Sequence, residues 1–159
     1  MDLTGTYIFD APRQAVWDAL MDPQVIAAIL PGCEKMEETG PNNYRAHIKI
    51  KVGPVQGNFE ATVALSNIQP PHDYHLSVSG KGTPGFVTGE GDLTLEEQDA
   101  GKTLLTYKGK ATVGGKLAGV GQRLLDSSAK FIVNQGLNAL EKEIKVRIVS
   151  GGGGGAGVG

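Results

Sequence analysis

The chain has 159 residues, 17 acidic and 15 basic groups for a net charge of −2, and an apolar fraction of 40%. That size and balance fit one soluble domain with a short extension, and they exclude both a global basic field for nucleic acid and a disordered acidic chain. The single cysteine, Cys33, excludes an intrachain disulfide framework and any multi-cysteine metal site, and no apolar run is long enough to span a bilayer.

The N-terminus has an acid at Asp2 and no basic segment, so no secretory signal is expected and the expected compartment is cytoplasmic. Leu3, Gly5, Tyr7 and Phe9 alternate with Thr4, Thr6 and Ile8, which predicts a first strand. Asp10-Ala11-Pro12 then marks a helix start, and Val16, Trp17 and Leu20 supply an apolar face up to about Met21. Asp22-Pro23 breaks that helix and begins a second one, with Val25, Ile26, Ile29 and Leu30 at helical spacing. Leu30-Pro31-Gly32 ends it.

A run of strands follows. Ala46, Ile48, Ile50 and Val52 alternate with Arg45, His47, Lys49 and Lys51. Val55, Gly57, Phe59, Ala61, Val63 and Leu65 alternate with polar neighbours, and Gly53-Pro54 between the two runs predicts an antiparallel hairpin. Tyr74, Leu76 and Val78 form the next strand, then Leu93 and Leu95. After the turn at Asp99-Ala100-Gly101-Lys102 comes the run Leu105, Tyr107, Gly109, Ala111, Val113. A period of 2 with one apolar and one polar face predicts a single curved antiparallel sheet with a wet outside.

The period then changes to 3.6. Residues 116 to about 148 read as one long helix with a stripe of Leu117, Val120, Leu124, Ser128, Phe131 and Gln135, continued by Ile132, Leu140, Ile144 and Ile148. This helix carries six basic and three acidic groups, so the rest of the chain is acidic. Seven of the 24 glycines fall in the last nine residues, so the domain is expected over 1–150 and a disordered glycine-rich tail over 151–159. The predicted class is α+β: a curved sheet of about six to seven strands gripping a long C-terminal helix, with two short helices after strand 1 and a space between sheet and helix.

Candidate chemistry is sparse. His47 lies on a polar strand face, and His72 and His75 have no acid or cysteine cluster to complete a metal site, so no metal or other cofactor is expected. Cys33 has no histidine near it in sequence and reads as a small half-buried thiol. The glycines around 80–91 read equally as tight turns or as open volume at a cavity mouth. Gly114, Gly115, Gly119 and Gly121 crowd the start of the long helix at about 1 kcal/mol each against alanine, which calls for close packing or room for a ligand. The apolar inner faces define a candidate ligand-binding set: Trp17, Leu20, Ile29, Leu30, Val52, Phe59, Val63, Leu76, Val78, Phe86, Val120, Leu124, Ser128 and Phe131. No catalytic residue is assigned, because the inward positions carry little that ionises beyond Tyr7, Tyr74, Tyr107 and Cys33.

Several stretches are specific in combination: Phe9-Asp10-Ala11-Pro12, Val16-Trp17-Asp18-Ala19-Leu20 with Asp22-Pro23, Leu30-Pro31-Gly32-Cys33-Glu34, Lys51-Val52-Gly53-Pro54-Val55, and Val113-Gly114-Gly115-Lys116-Leu117-Ala118-Gly119-Val120-Gly121-Gln122-Arg123-Leu124-Leu125. Over about residues 1–147 the chain resembles the carbon monoxide dehydrogenase G-subunit family of the polyketide cyclase and START-like (SRPBCC) superfamily. The resemblance implies a helix-grip fold with a deep apolar cavity. It implies a non-enzymatic accessory protein that binds a lipid or a quinone-like molecule. Such a protein would support a carbon monoxide dehydrogenase-type molybdenum hydroxylase through membrane recruitment or coupling to the quinone pool. Peripheral contact with the inner face of the membrane belongs to the same implication. Many members carry a C-terminal segment linked to membrane attachment, where this chain has the glycine-rich residues 151–159. A cyclase or hydratase of the wider superfamily, or a pure docking module, are the alternative readings.

Overall fold

The computed structural model describes the backbone of residues 1–151 and the side chains through residue 149. Most of the predicted glycine-rich tail, from residue 152 on, lies outside the described residues. Seven antiparallel strands form one sheet in the order β1-β7-β6-β5-β4-β3-β2. They are β1 (Asp2–Phe9), β2 (Cys33–Gly40), β3 (Asn43–Val52), β4 (Val55–Gln69), β5 (Asp73–Gly82), β6 (Gly85–Gln98) and β7 (Lys102–Gly114). Two short helices, α1 (Arg13–Leu20) and α2 (Pro23–Ile29), follow β1, and the long α3 (Gln122–Gly151) closes the chain.

Local chemistry explains the helix boundaries. Pro12 stands at the N-cap of α1 in an extended conformation. Asp22 caps α2 by accepting a 2.9 Å hydrogen bond from the Gln24 amide, with Pro23 in the first turn. Two elements differ from the sequence-based expectation. Strand β2 is an addition to it, because the exposed positions there carry Glu34, Lys35, Glu37 and Glu38. It is an edge strand, where charge discourages further pairing. The long helix starts at Gln122 rather than 116, and residues Gly115–Val120 form a separate 3-10 segment. Gly115 (φ 74°) and Gly121 (φ 102°) bound that segment in conformations that residues with a Cβ rarely adopt.

The alternation of each strand sorts its side chains onto a helix-facing and an outer face. Phe9, Leu105 and Leu95 face inward beneath α1 and join Val16, Trp17, Leu20, Leu140 and Ile144 in the main core. Burying one such side chain contributes about 1.5–3 kcal/mol. Thr103 is buried among them and donates to the Ala11 carbonyl at 2.7 Å. Polar ties hold α3 over this core. Arg147 reaches Asp22 at 2.7 Å, the Tyr7 hydroxyl lies 3.0 Å from Asn138 Oδ1 and 3.1 Å from Glu141 Oε1, and the Asp10 amide donates to Glu141 at 2.9 Å. A second, smaller cluster of Val55, Phe59, Leu117 and Leu125 forms separately, at the β3–β4 and β5–β6 hairpins.

Candidate functional site

A cavity of about 360 Å³ lies between the sheet and α3. Its walls are Leu3 of β1, Leu76 and Val78 of β5, Val87 and Leu93 of β6, Leu105 and Tyr107 of β7, and Val133 and Leu137 of α3. Its floor is bare backbone. Gly91 pairs with Gly109 and Gly89 with Ala111 across β6 and β7, so four adjacent inward positions carry at most a methyl group. These glycines also let the strands approach closely. A Cβ on Gly91 would sit 2.8 Å from the Lys108 carbonyl oxygen and 3.0 Å from Gly109 Cα. The side chains of Glu90, Asp92, Lys108 and Lys110 alternate to the outer face, so only their backbone borders the cavity.

The surroundings of the cavity are chemically quiet. Tyr107 is its one titratable side chain that faces inward, and its ring lies over Gly5. Tyr74 is buried edge-on against Trp17, ring centroids 5.7 Å apart, and burial pushes its phenol far above the usual range. Burial also raises Tyr7, helped by its hydrogen bond to Glu141, and burial raises the Cys33 thiol. A raised thiol pKa reduces thiolate at neutral pH, which fits an inert cysteine. The histidines take part in other contacts: His75 with Asp92 at 2.9 Å, His47 with Glu60 at 3.8 Å, and His72 with Arg13 at 3.2 Å. Among the described residues no group of three or more His, Cys, Asp or Glu is placed to hold a metal ion.

The structure distributes the sequence-derived ligand set over several places. Leu76 and Val78 line the cavity. Trp17 and Leu20 are packed in the main core, with Ile29 against it and Leu30 half-buried just past α2. Phe59 belongs to the second cluster with Val120 packed against it, while Val52 pairs with Val55 at the β3–β4 turn. Val63 shares a rung with Val78. Together with Val78 it borders a separate depression of about 300 Å³, most of whose residues, Arg45, Thr62 and Ser79 among them, alternate to the outer face. Ser128 is buried on α3.

Phe86, Leu124 and Phe131 are corrected: they are 43%, 47% and 55% exposed. Phe86 alternates with Val87 and therefore faces outward, its ring against Gly114. A stripe drawn straight through Gly121 places Leu124 and Phe131 inward. The helix that actually begins at Gln122 buries Ser128, Leu140 and Ile144 of the expected stripe together with Leu125, while Ile148 of that stripe is exposed. Leu3, Leu105, Tyr107, Ala111, Val133 and Leu137 line the cavity without belonging to the candidate set. The strand members sit on predicted inward faces, and the signal that singles them out is their alignment with Gly89, Gly91 and Gly109.

The sequence profile of the carbon monoxide dehydrogenase G-subunit (CoxG) family matches residues 5–158. No curated protein matches the chain. Among solved structures, a conserved protein from Geobacillus kaustophilus is 35% identical with a TM-score of 0.90, covering 92% of this chain and 97% of that one. The ZhuI aromatase/cyclase from Streptomyces sp. R1128 is 20% identical with a TM-score of 0.71, covering 97% and 98%. A START superfamily protein from Mycobacterium smegmatis is 13% identical with a TM-score of 0.71, covering 91% and 97%. The last two show a shared fold, which is the helix-grip arrangement expected from the sequence. No helix of the described residues is long and apolar enough to cross a membrane. The chain belongs to the CoxG family.

Proposed function

We propose that this CoxG family member is a non-enzymatic carrier. It takes an apolar molecule, a lipid or a quinone-like ring, into the space between sheet and α3. It serves a carbon monoxide dehydrogenase-type molybdenum hydroxylase, moving that cargo between the enzyme and the membrane. The observation that carries the reading is the cavity of about 360 Å³, apolar on its walls and backbone-floored by Gly89, Gly91 and Gly109. Glycines aligned across two strands weaken a sheet, and room for a ligand compensates for that cost.

The energetics suffice without a charge or a metal. A ligand burying roughly 300 Å² of apolar surface gains about 7 kcal/mol before the cost of association. The cavity volume lies in the range typical of small-molecule sites. Against a cyclase or hydratase role stands the lining itself: apart from Tyr107, the side chains that face into the cavity carry no acid or base.

Native mass spectrometry of the purified protein, with organic extraction of what is released, tests the proposal. The expected result is a stoichiometric lipid or quinone, or its uptake when added. A protein that stays empty in both settings overturns the carrier reading.

A further inference from the structure

The two edges of the sheet, β1 and β2, are built differently. Edge strand β2 carries Glu34, Lys35, Glu37 and Glu38, and its register slips between Cys33 and Lys35 and again between Glu38 and Gly40. Charge and bulges of this kind keep an edge from pairing further. Edge strand β1 has none of these devices. It runs from Asp2 to Phe9 with no proline, no lysine and no slip, in step with β7 from Asp2↔Lys110 to Phe9↔Thr103. One residue earlier, Met1 and Ala111 exchange both backbone hydrogen bonds, at 3.0 and 2.8 Å. Hydrogen-bonded and non-hydrogen-bonded pairs alternate along an antiparallel ladder, so Leu3, Gly5, Tyr7 and Phe9 bond to β7. Asp2, Thr4, Thr6 and Ile8 therefore turn their N–H and C=O groups to the open edge, and no other hydrogen bond among the described residues takes these groups up. The same four side chains are exposed, Ile8 to 56%.

We propose that β1 pairs antiparallel with β1 of a second copy of this chain, across a two-fold axis at Gly5. The edge is self-complementary in that register. With Gly5 opposite Gly5, Thr4 faces Thr6 of the second copy and Asp2 faces Ile8. This two-fold register alone matches every outward residue with an outward residue, and each of those pairs exchanges two hydrogen bonds. An axis at Thr4 leaves Ile8 without a counterpart in the strand, and an axis at Thr6 leaves Asp2 without one. Threonine opposite threonine is a favourable cross-strand pair, no like charges meet, and the exposed Ile8 gains cover. On the inner face glycine meets glycine at the axis, and Leu3, a wall of the cavity, comes beside Tyr7 of the second copy. Strand addition by another protein takes its specificity from side-chain pockets along the edge, whereas here the strand's own register supplies the match. The pairing goes beyond the carrier reading and does not depend on it.

The test is sedimentation velocity of the full chain over a thousandfold concentration range, with amide hydrogen exchange measured at both ends of it. Pairing of one strand buries less than a standard interface, so a reversible dimer is expected between about 1 µM and about 1 mM. The amides of Thr4, Thr6 and Ile8 should exchange at least tenfold more slowly in the dimer, while those on the open edge of β2 stay unchanged. Thr4→Lys/Thr6→Lys sets lysines opposite each other and should weaken dimerisation at least tenfold. Thr62→Lys/Thr88→Lys, the same change at exposed positions of the interior strands β4 and β6, should leave it within about twofold. Circular dichroism checks that each variant is folded, and hydrogen exchange on the parent depends on no variant. A monomer at the highest concentration overturns the proposal and leaves the edge to a strand of another protein. A dimer in which these three amides exchange as fast as in the monomer overturns it too, because the copies then meet elsewhere. So does an equal loss in both double variants.

Discussion

The two ends of the space beneath α3 are built from the same elements to opposite effect. Under α1, inward positions of β1, β6 and β7 carry Phe9, Leu95 and Leu105, and α3 answers with Leu140 and Ile144. Two to three turns earlier along α3, the inward positions of β6 and β7 are Gly89, Gly91, Gly109 and Ala111, and α3 offers Val133 across a gap. The packed end holds the fold at interior density. The glycine end gives up contacts, and the polar ties Tyr7–Glu141 and Arg147–Asp22 lie at the packed end. Stability and ligand space are thus separated along one helix.

The largest expected effect breaks the packed end. Leu140→Ala should cost about 2–5 kcal/mol, because its neighbours cannot collapse into the void. Val133→Ala, which only enlarges an existing cavity, should cost about 1 kcal/mol or less. Chemical denaturation of both variants measures the contrast, and equal losses would mean that the gap is filled as tightly as the core.

Next comes the cavity floor. Gly91→Ala forces a Cβ against the Lys108 carbonyl and Gly109, so a loss of about 1–3 kcal/mol is expected together with weaker cargo uptake. Unchanged stability would show that β6 and β7 do not need their close approach there.

The smallest effect sharpens the role of the ties. Burial pushes the Asp22 carboxyl up, but Arg147 and the Gln24 and Val25 amides outweigh that and hold it below its ordinary value. A lowered folded-state pKa stabilises the protein above the unfolded pKa, and this contribution fades as pH falls through the folded value. The pair is partly exposed, so its worth is about 0.5 kcal/mol. The melting temperature should therefore fall slightly less between pH 7 and pH 3 in Asp22→Asn than in the parent.

Period-2 alternation made most of the sheet legible, and Asp22-Pro23 marked α2, because these signals are local. What the sequence hid has a physical reason in each case. Strand β2 is masked by the charges that protect an edge. The inward stripe of α3 depends on where the helix begins, and that is decided by backbone angles at Gly115 and Gly121 rather than by apolar spacing. Phe86 falls on the unexpected face because the glycine-rich stretch around it obscures the register of β6. The cavity was half visible: the glycines around 80–91 read equally as tight turns or as open volume, and the alignment of Gly89 and Gly91 with Gly109 exists only once β6 and β7 are paired. The packed positions Trp17 and Leu20 group with Leu76 and Val78 in the sequence because apolarity alone does not distinguish a core from a cavity wall.

The most direct test of a cavity-borne cargo is uptake of a lipid or a quinone by the parent protein and by Ala111→Leu, followed by native mass spectrometry. Leucine at 111 projects into the cavity and fills it, with a change in stability within about 1.5 kcal/mol. One bound molecule is expected on the parent, with at least a tenfold loss on the folded variant. Equal uptake by both would place the ligand outside this cavity and contradict the carrier reading built on it.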